Sequence, residues 1–277
     1  MKTPGTLYIV STPIGNLEDI TLRALRILRE VDLIAAEDTR HTRKLLAAYD
    51  IHTPLTSYFA FNEARKSVSL MQRLSAGESV ALVSDAGTPG LADPGYELIQ
   101  AAIDQDLPVV PVPGPSAAIT ALTVSGLPCE HFTFIGFLTN KRTVRIKKLK
   151  TLQTIEHTIV CYASPHHILK TLEDIQDILG NRRIVVAREL TKRFEEIVRG
   201  EVETVRRWFQ EKPAIKGEFT LVIAGAETAD PVDAATIRFE LQRCMTEQGM
   251  SRKDAVKYVV HHLKVAKNRV YQESLHL

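Results

Sequence analysis

The segment Ser84-Asp85-Ala86-Gly87-Thr88-Pro89-Gly90 follows an apolar run, Ser79–Val83, that reads as a buried strand. A strand that stops at an Asp and continues through two glycines and a proline leaves a carboxylate and open backbone amides at a sheet's C-terminal edge. Ligands bind at that edge in open α/β sheets. Gly87 and Gly90 allow close backbone approach or positive φ, and Asp85 can accept hydrogen bonds from a ligand's hydroxyls or amine. The plainer alternative is a turn capped by its Asp. Thirteen residues from Ser84 to Tyr96 are more than such a turn needs.

Three other junctions carry similar chemistry. Ser11-Thr12-Pro13-Ile14-Gly15-Asn16 lies before a helix opened by Asp19 and Thr21, where loop amides suit an electronegative group. It is not GxGxxG, so a dinucleotide fold is disfavoured. Pro113-Gly114-Pro115-Ser116-Ala117-Ala118 offers the Ser116 hydroxyl either as a helix cap or as a ligand contact. Ala35-Ala36-Glu37-Asp38-Thr39-Arg40-His41-Thr42 ends a strand and begins a helix. Glu37 and Asp38 suit a helix N-terminus, whereas Arg40 and Arg43 are unfavourable there and point to an anionic substrate. The four junctions suggest one small-molecule site built from loops.

Other chemistries lack support. His166-His167 and His261-His262 are adjacent pairs, and helix neighbours point in different directions, so no metal face is expected. There is no HExxH, CxxC or GxSxG. Cys129, Cys161 and Cys244 are odd in number and far apart, which argues against disulfides and fits a reducing cytoplasm. No apolar run approaches the roughly 20 residues of a membrane span. Met1–Gly5 enters a strand at once, without a secretory pattern. Net charge is only +2, but Thr139–Lys150 holds six cations and no acid, and Ser251–Leu277 is also rich in Lys and Arg. Such patches suit a polyanionic partner, or are solvated helix faces.

The elements that must position these residues alternate in type. Thr6–Ser11, Leu33–Ala36, Ser79–Ser84 and Val109–Val112 read as strands, and Thr21–Glu30, Thr39–Tyr49, Asn62–Ser75 and Gly95–Gln105 as helices. This is the βα alternation of a mostly parallel sheet. The proline-rich Pro108–Pro115 ends it and sets a lobe boundary. Beyond it, Phe132–Phe137, Thr158–Tyr162, Arg183–Ala187, Glu195–Arg199 and Phe219–Ala224 read as strands of a mixed sheet. Arg183–Glu189 and Glu195–Gly200 are close enough to pair antiparallel. Glu227–Pro231 reads as a linker, followed by helices over Asp233–Gln248, Arg252–Leu263 and Asn268–Leu275. The expected organisation is α/β, two-lobed: a domain over 1–113, a second over 114–226 and a small helical extension over 227–277.

Thr12-Pro-Ile-Gly-Asn-Leu-Glu-Asp-Ile-Thr21, Ala36-Glu-Asp-Thr-Arg-His-Thr42, Ser84-Asp-Ala-Gly-Thr-Pro89 with Asp93-Pro-Gly95, Pro113-Gly-Pro-Ser116, Glu189-Leu-Thr-Lys192 and Gly217-Glu-Phe219 stand in order. This set closely resembles the ribosomal RNA small subunit methyltransferase I family, within the tetrapyrrole methylase superfamily. The likeness runs from about Thr6 to Gly225. It implies a tetrapyrrole-methylase-like fold and a homodimer, with S-adenosylmethionine in the cleft between two α/β domains. The implied reaction is methyl transfer to a cytidine ribose 2′-hydroxyl in the decoding region of 16S rRNA, free or in the small ribosomal subunit. Carried over by position, the cofactor residues are Pro13, Asp85, Ala86, Gly87, Thr88, Leu91, Ser116, Ala117, Tyr162, Leu190, Glu218 and Phe219.

The chain departs from the family pattern in three places. Phe59-Ala60-Phe61-Asn62-Glu63 stands where the family usually has His-x-His-Asn-Glu. Tyr162-Ala-Ser-Pro-His-His167 replaces Tyr-Glu-Ser-Pro-His-Arg, and Phe137-Leu-Thr-Asn-Lys141 replaces Phe-Leu-Pro-x-Lys. For the transfer itself, Glu37, Asp38 and Glu63 are the candidate proton acceptors. Arg40 and Arg43 are candidates to hold substrate phosphate, and Asn16 and Asn62 to orient the ribose. Lys141, Arg142, Arg145, Lys147 and Lys148, with the basic tail, are expected on the RNA backbone. A tetrapyrrole methylase and a non-enzymatic RNA-binding module are the competing readings.

Overall fold

The computed structural model describes residues 4–226, 232–263, 265 and 267–277. The expected linker Glu227–Pro231 lies outside them. Two compact units result, Met1–Gly225 and Ala226–Leu277.

The first unit begins with strand β1 (Leu7–Val10), helix α1 (Leu22–Glu30), β2 (Leu33–Ala36), α2 (Thr39–Ala48), β3 (Leu55–Ser57), α3 (Glu63–Ser75), β4 (Val80–Val83), α4 (Tyr96–Asp104) and β5 (Val109–Val112). The strands form one sheet in the order β3-β2-β4-β1-β5, with every pairing parallel. β2 and β4 are wholly buried because helices cover both faces. Leu25, Leu28, Leu45 and Leu46 of α1 and α2 pack on one face, and Leu70, Leu74, Leu98 and Ala102 of α3 and α4 on the other. The helical spacing of these leucines is what turns the helices onto the sheet. Thr21 caps α1 by accepting from the Ala24 amide at 3.1 Å, and Asp38 caps α2 from the Arg40 amide at 2.8 Å.

The chain then runs through α5 (Ala117–Ser125), β6 (Phe132–Phe137), α6 (Arg142–Lys150), β7 (Thr158–Ala163), α7 (Ile168–Leu179), β8 (Arg183–Arg188), β9 (Glu196–Glu201), α8 (Val202–Gln210) and β10 (Phe219–Ile223). The second sheet has the order β6-β7-β10-β8-β9. β6 and β7 are parallel and the remaining pairs antiparallel, so the sheet is mixed. α5 covers one face through Ala118, Ala121 and Leu122 against Val160, Val185 and Val222. α6, α7 and α8 cover the other, where Phe209 is fully buried. Burying a side chain of that kind contributes about 1.5–3 kcal/mol. β3, α7 and α8 have no counterpart in the elements read from the sequence.

The second unit holds α9 (Ala234–Thr246), α10 (Arg252–Leu263) and α11 (Lys267–Ser274) around Ile237, Leu241, Val256, Val259 and Val270. No helix among the described residues is long and apolar enough to cross a membrane.

Candidate functional site

The loops after β1, β4 and β5 are stitched together at the C-terminal edge of the first sheet. Thr12 and Gly87 exchange two backbone hydrogen bonds, of 2.8 and 3.0 Å. Gly87 has φ +81°, a conformation that L side chains rarely adopt, so the glycine is required by this bridge. The Thr12 hydroxyl donates to the Ser84 carbonyl, and the Ser11 and Thr88 hydroxyls lie 2.9 Å apart. The fourth junction joins them. The Asp85 amide donates to Glu37 Oε2 at 3.3 Å, while Asp85 Oδ1 accepts from the Asp38 amide at 2.9 Å.

A cleft of about 380 Å3 opens against these loops and the second sheet. Of the residues carried over for the cofactor, Asp85, Ala86, Gly87, Thr88, Leu91, Ser116, Ala117, Tyr162, Glu218 and Phe219 line it, and Ile14, Glu37, Asp93 and Phe137 join them. Pro13 and Leu190 do not. Both are buried, Pro13 in the wall of a neighbouring cavity and Leu190 in an apolar patch with Ile14. The Tyr162 ring packs against Phe134 and Phe137, each centroid 5.1 Å away, giving one wall an aromatic surface. Ser116 stands at the N-cap of α5 but makes no capping hydrogen bond, and its hydroxyl is buried beside Tyr162.

The electrostatics of the cleft are acidic. Burial, then the charges of Glu37 and Asp85, push the Asp93 carboxyl up to about 7. Burial also raises Glu37, with repulsion from Asp85 and Asp38 adding to it, although the Asp85 amide opposes the shift. Asp93 belongs to one of the family-like motifs, yet sequence reasoning assigns it no role. The signal that could have found it is an acid placed late in an overlong loop whose start already holds Asp85.

The other expected site residues are distributed differently. Asp38 is held well below the usual carboxylate range by hydrogen bonds from the Arg40 side chain and amide. Arg40 itself is 84% exposed and sits on Asp38 at 2.7 Å. Glu63 and Asn62 are not in the cleft. Glu63 Oε1 accepts from the Gly95 amide at 2.7 Å and from the Tyr58 hydroxyl at 3.2 Å, tying α3 to the start of α4. Asn62 accepts from the Phe59 amide, and Asn16 from the Glu18 amide. Phe61, in a position where the family usually has histidine, is 98% exposed. Arg43 faces away from the cleft, into a separate depression beside Leu46, Asp50 and His52.

Arg145 corrects the expected cationic surface. It is 1% exposed, and its guanidinium binds Asp174 at 2.6 Å and the Thr139 carbonyl at 3.0 Å, so it cannot meet an outside phosphate. The reason is helical spacing: Arg145 and Leu149 share the buried face of α6. Lys141, Lys147 and Lys148 are exposed, and Arg142 is exposed with its Nε on Asp174. Among the described residues no three His, Cys, Asp or Glu side chains are grouped to hold a metal ion.

The sequence profile of the tetrapyrrole (corrin/porphyrin) methylases matches residues 6–206. A protein of Synechocystis named ribosomal RNA small subunit methyltransferase I is 46% identical over 276 residues, covering 99% of this chain and 98% of its own. One of the same name from Halalkalibacterium halodurans is 45% identical over 271 residues, covering 96% and 93%. Among solved structures, a diphthine synthase matches with a TM-score of 0.60 at 15% identity, over 79% of this chain and 90% of its own. Uroporphyrin-III C-methyltransferase from Thermus thermophilus, complexed with S-adenyl homocysteine, matches at 0.55 and 18% identity, over 80% and 98%. At such identities the structural likeness concerns the fold.

Proposed function

The chain belongs to the ribosomal RNA small subunit methyltransferase I family of the tetrapyrrole methylases, and from that membership we propose that it methylates 16S rRNA, using S-adenosylmethionine, at the ribose 2′-hydroxyl of a cytidine in the decoding region. The observation that carries the proposal is the cleft's chemistry. Glu37, Asp85, Asp93 and Glu218 give it four carboxylates, while Ile14, Leu91, Phe137 and Phe219 give it apolar surface. A ligand with an adenine ring and a cationic sulfonium and amine fits that combination. The volume lies within the usual range for small-molecule sites, about 300–1,000 Å3.

When bound, S-adenosylmethionine supplies a methyl group already activated by its sulfonium. The protein's task is to orient an acceptor oxygen in line with that group and to take its proton. Orientation is supported by the Thr12–Gly87 bridge and the Glu37–Asp85–Asp38 hydrogen bonds, which fix the loops against one another. Glu37 and Asp93 are the groups suited to accept the proton, because burial and repulsion from neighbouring carboxylates make both more basic than usual. A positioned base of this kind contributes about 10²–10⁴-fold. Asp38 is the poorer acceptor, since Arg40 stabilises its ionised form. Glu63 is engaged in holding α4.

Lys141, Arg142, Lys147 and Lys148 serve in this reading as RNA-backbone contacts, and the protein acts as a homodimer of 30.9 kDa chains. The test incubates the protein with methyl-labelled cofactor and 30S subunits, free 16S rRNA or a tetrapyrrole precursor. Label in RNA that digests to 2′-O-methylcytidine is the expected result. Label in the tetrapyrrole alone, or in none, would overturn it.

A further inference from the structure

A second cavity, of about 330 Å3, lies directly behind the methyl-donor cleft. The two share Ile14, Asp85, Ala86 and Glu218 as a common wall. Its far side is formed by α2, which presents His41 and Lys44, and by Lys192 from the loop after β8. His41 and Lys44 are three residues apart and therefore neighbours on one helix face. Arg40 and Arg43, with the same spacing, occupy the next stripe, and Arg43 lines the depression on the other side.

The charges are arranged asymmetrically. Lys44 is exposed and makes no ion pair among the described residues. Lys192 Nζ is shared between Glu189 at 3.0 Å and Glu218 at 3.1 Å. Of the two acids in the wall, Asp85 directs one oxygen to the Asp38 amide, and Glu218 is already opposed by Lys192. Asp85 keeps its negative charge, and Lys44 on α2 is the cation of this lining that no acid engages among the described residues.

We infer that the second cavity receives a phosphodiester of the acceptor strand, with Lys44 and His41 as its principal contacts and Lys192 facing them. A phosphate held there places the attached ribose at the common wall, beside Glu37 and Asp85. The inference rests on the RNA-methylating reading and assigns the phosphate to a different stripe of α2 from Arg40 and Arg43.

The test uses the full chain, with Lys44→Gln, Lys44→Glu and His41→Gln. RNA affinity is measured by anisotropy with a labelled 16S fragment in the absence of methyl donor, and the KM for RNA in its presence. Lys44→Gln should weaken RNA binding by roughly tenfold and Lys44→Glu by more. The dependence of log K on log salt should become shallower by about 0.7, the share of one phosphate in a single strand. Cofactor affinity and melting temperature should stay at wild-type values. Wild-type protein that methylates no RNA removes the underlying reading. Wild-type protein that does, with Lys44→Gln unchanged in affinity and salt slope, removes only this inference. So does a loss confined to Arg43→Gln, since that side chain faces away from the cavity.

Discussion

Asp93 makes proton release the sharpest test of how the cleft holds a cationic ligand. Its carboxyl stands at about 7 because burial, Glu37 and Asp85 all disfavour the charge. A sulfonium and an ammonium entering the cleft reverse that preference. If only the ionised carboxyl binds, affinity follows the ionised fraction, which is about 9% at pH 6 and about 91% at pH 8. The ratio is about tenfold, or about 1.4 kcal/mol. The ligand's own amine titrates close to this range, so Asp93→Asn is the reference at each pH. Isothermal titration in buffers of different ionisation enthalpy should show about half a proton more released by wild type than by the variant at pH 7. The wild-type-to-variant affinity ratio should rise about tenfold from pH 6 to pH 8. A ratio constant across that interval would refute the reasoning. Stability without ligand has the opposite sign. A carboxyl raised from an ordinary 3.8 to about 7 contributes stability present below about pH 4 and lost as pH rises through 7. Asp93→Asn should therefore raise the melting temperature at pH 8 more than at pH 5.

Three further perturbations separate the parts of the structure. Arg145→Met leaves Asp174 buried with only Arg142 against it, and should cost about 3–5 kcal/mol in denaturant unfolding; a loss under 1 kcal/mol would mean that the site is solvated. Gly15→Ala should lower the melting temperature, because an added Cβ meets the Lys192 side chain and comes within 2.9 Å of Thr191 Oγ1 and 3.1 Å of the Leu190 carbonyl; an unchanged melting temperature would show that this loop yields freely. Lys147→Gln with Lys148→Gln should reduce RNA affinity and its salt dependence while leaving cofactor binding unchanged; unchanged RNA affinity would mark α6 as a solvated face.

The parallel sheet was legible because β1, β2, β4 and β5 are short apolar runs separated by helices of clear amphipathic spacing. β3 was not. Leu55–Ser57 is only three residues long, half-buried and mostly polar, and it forms as an edge strand on β2. α7 and α8 lie in a stretch whose β-rich apolar runs are the stronger local signal, although Val202, Val205 and Phe209 are spaced for one buried helical face. A single short connection, between β8 and β9, is what marks the second sheet as mixed in the sequence. The insertion of β10 between β7 and β8 is a long-range pairing for which local sequence carries no signal.

The site shows the same division at finer scale. Which loops meet was legible, since strand ends of a parallel sheet share one edge and glycine, proline and acid mark each loop. Which side chains face the ligand was not. Arg40 and His41, or Arg43 and Lys44, are adjacent in sequence, yet one residue of advance on a helix turns a side chain by about 100°. Arg145 stands among cations of the same composition and is turned inward by that rotation, onto an Asp174 that is 29 residues away. Charge counting along a segment cannot distinguish these cases, because it averages over the faces of the helix. Asp93 is subtler. Its basicity comes from Glu37 and Asp85, 56 and 8 residues distant, and from burial that exists only once both sheets are assembled. The chemistry of this cleft is therefore a property of the assembled edge, and it is tested more directly by titrating Asp93 than by deleting any one motif residue.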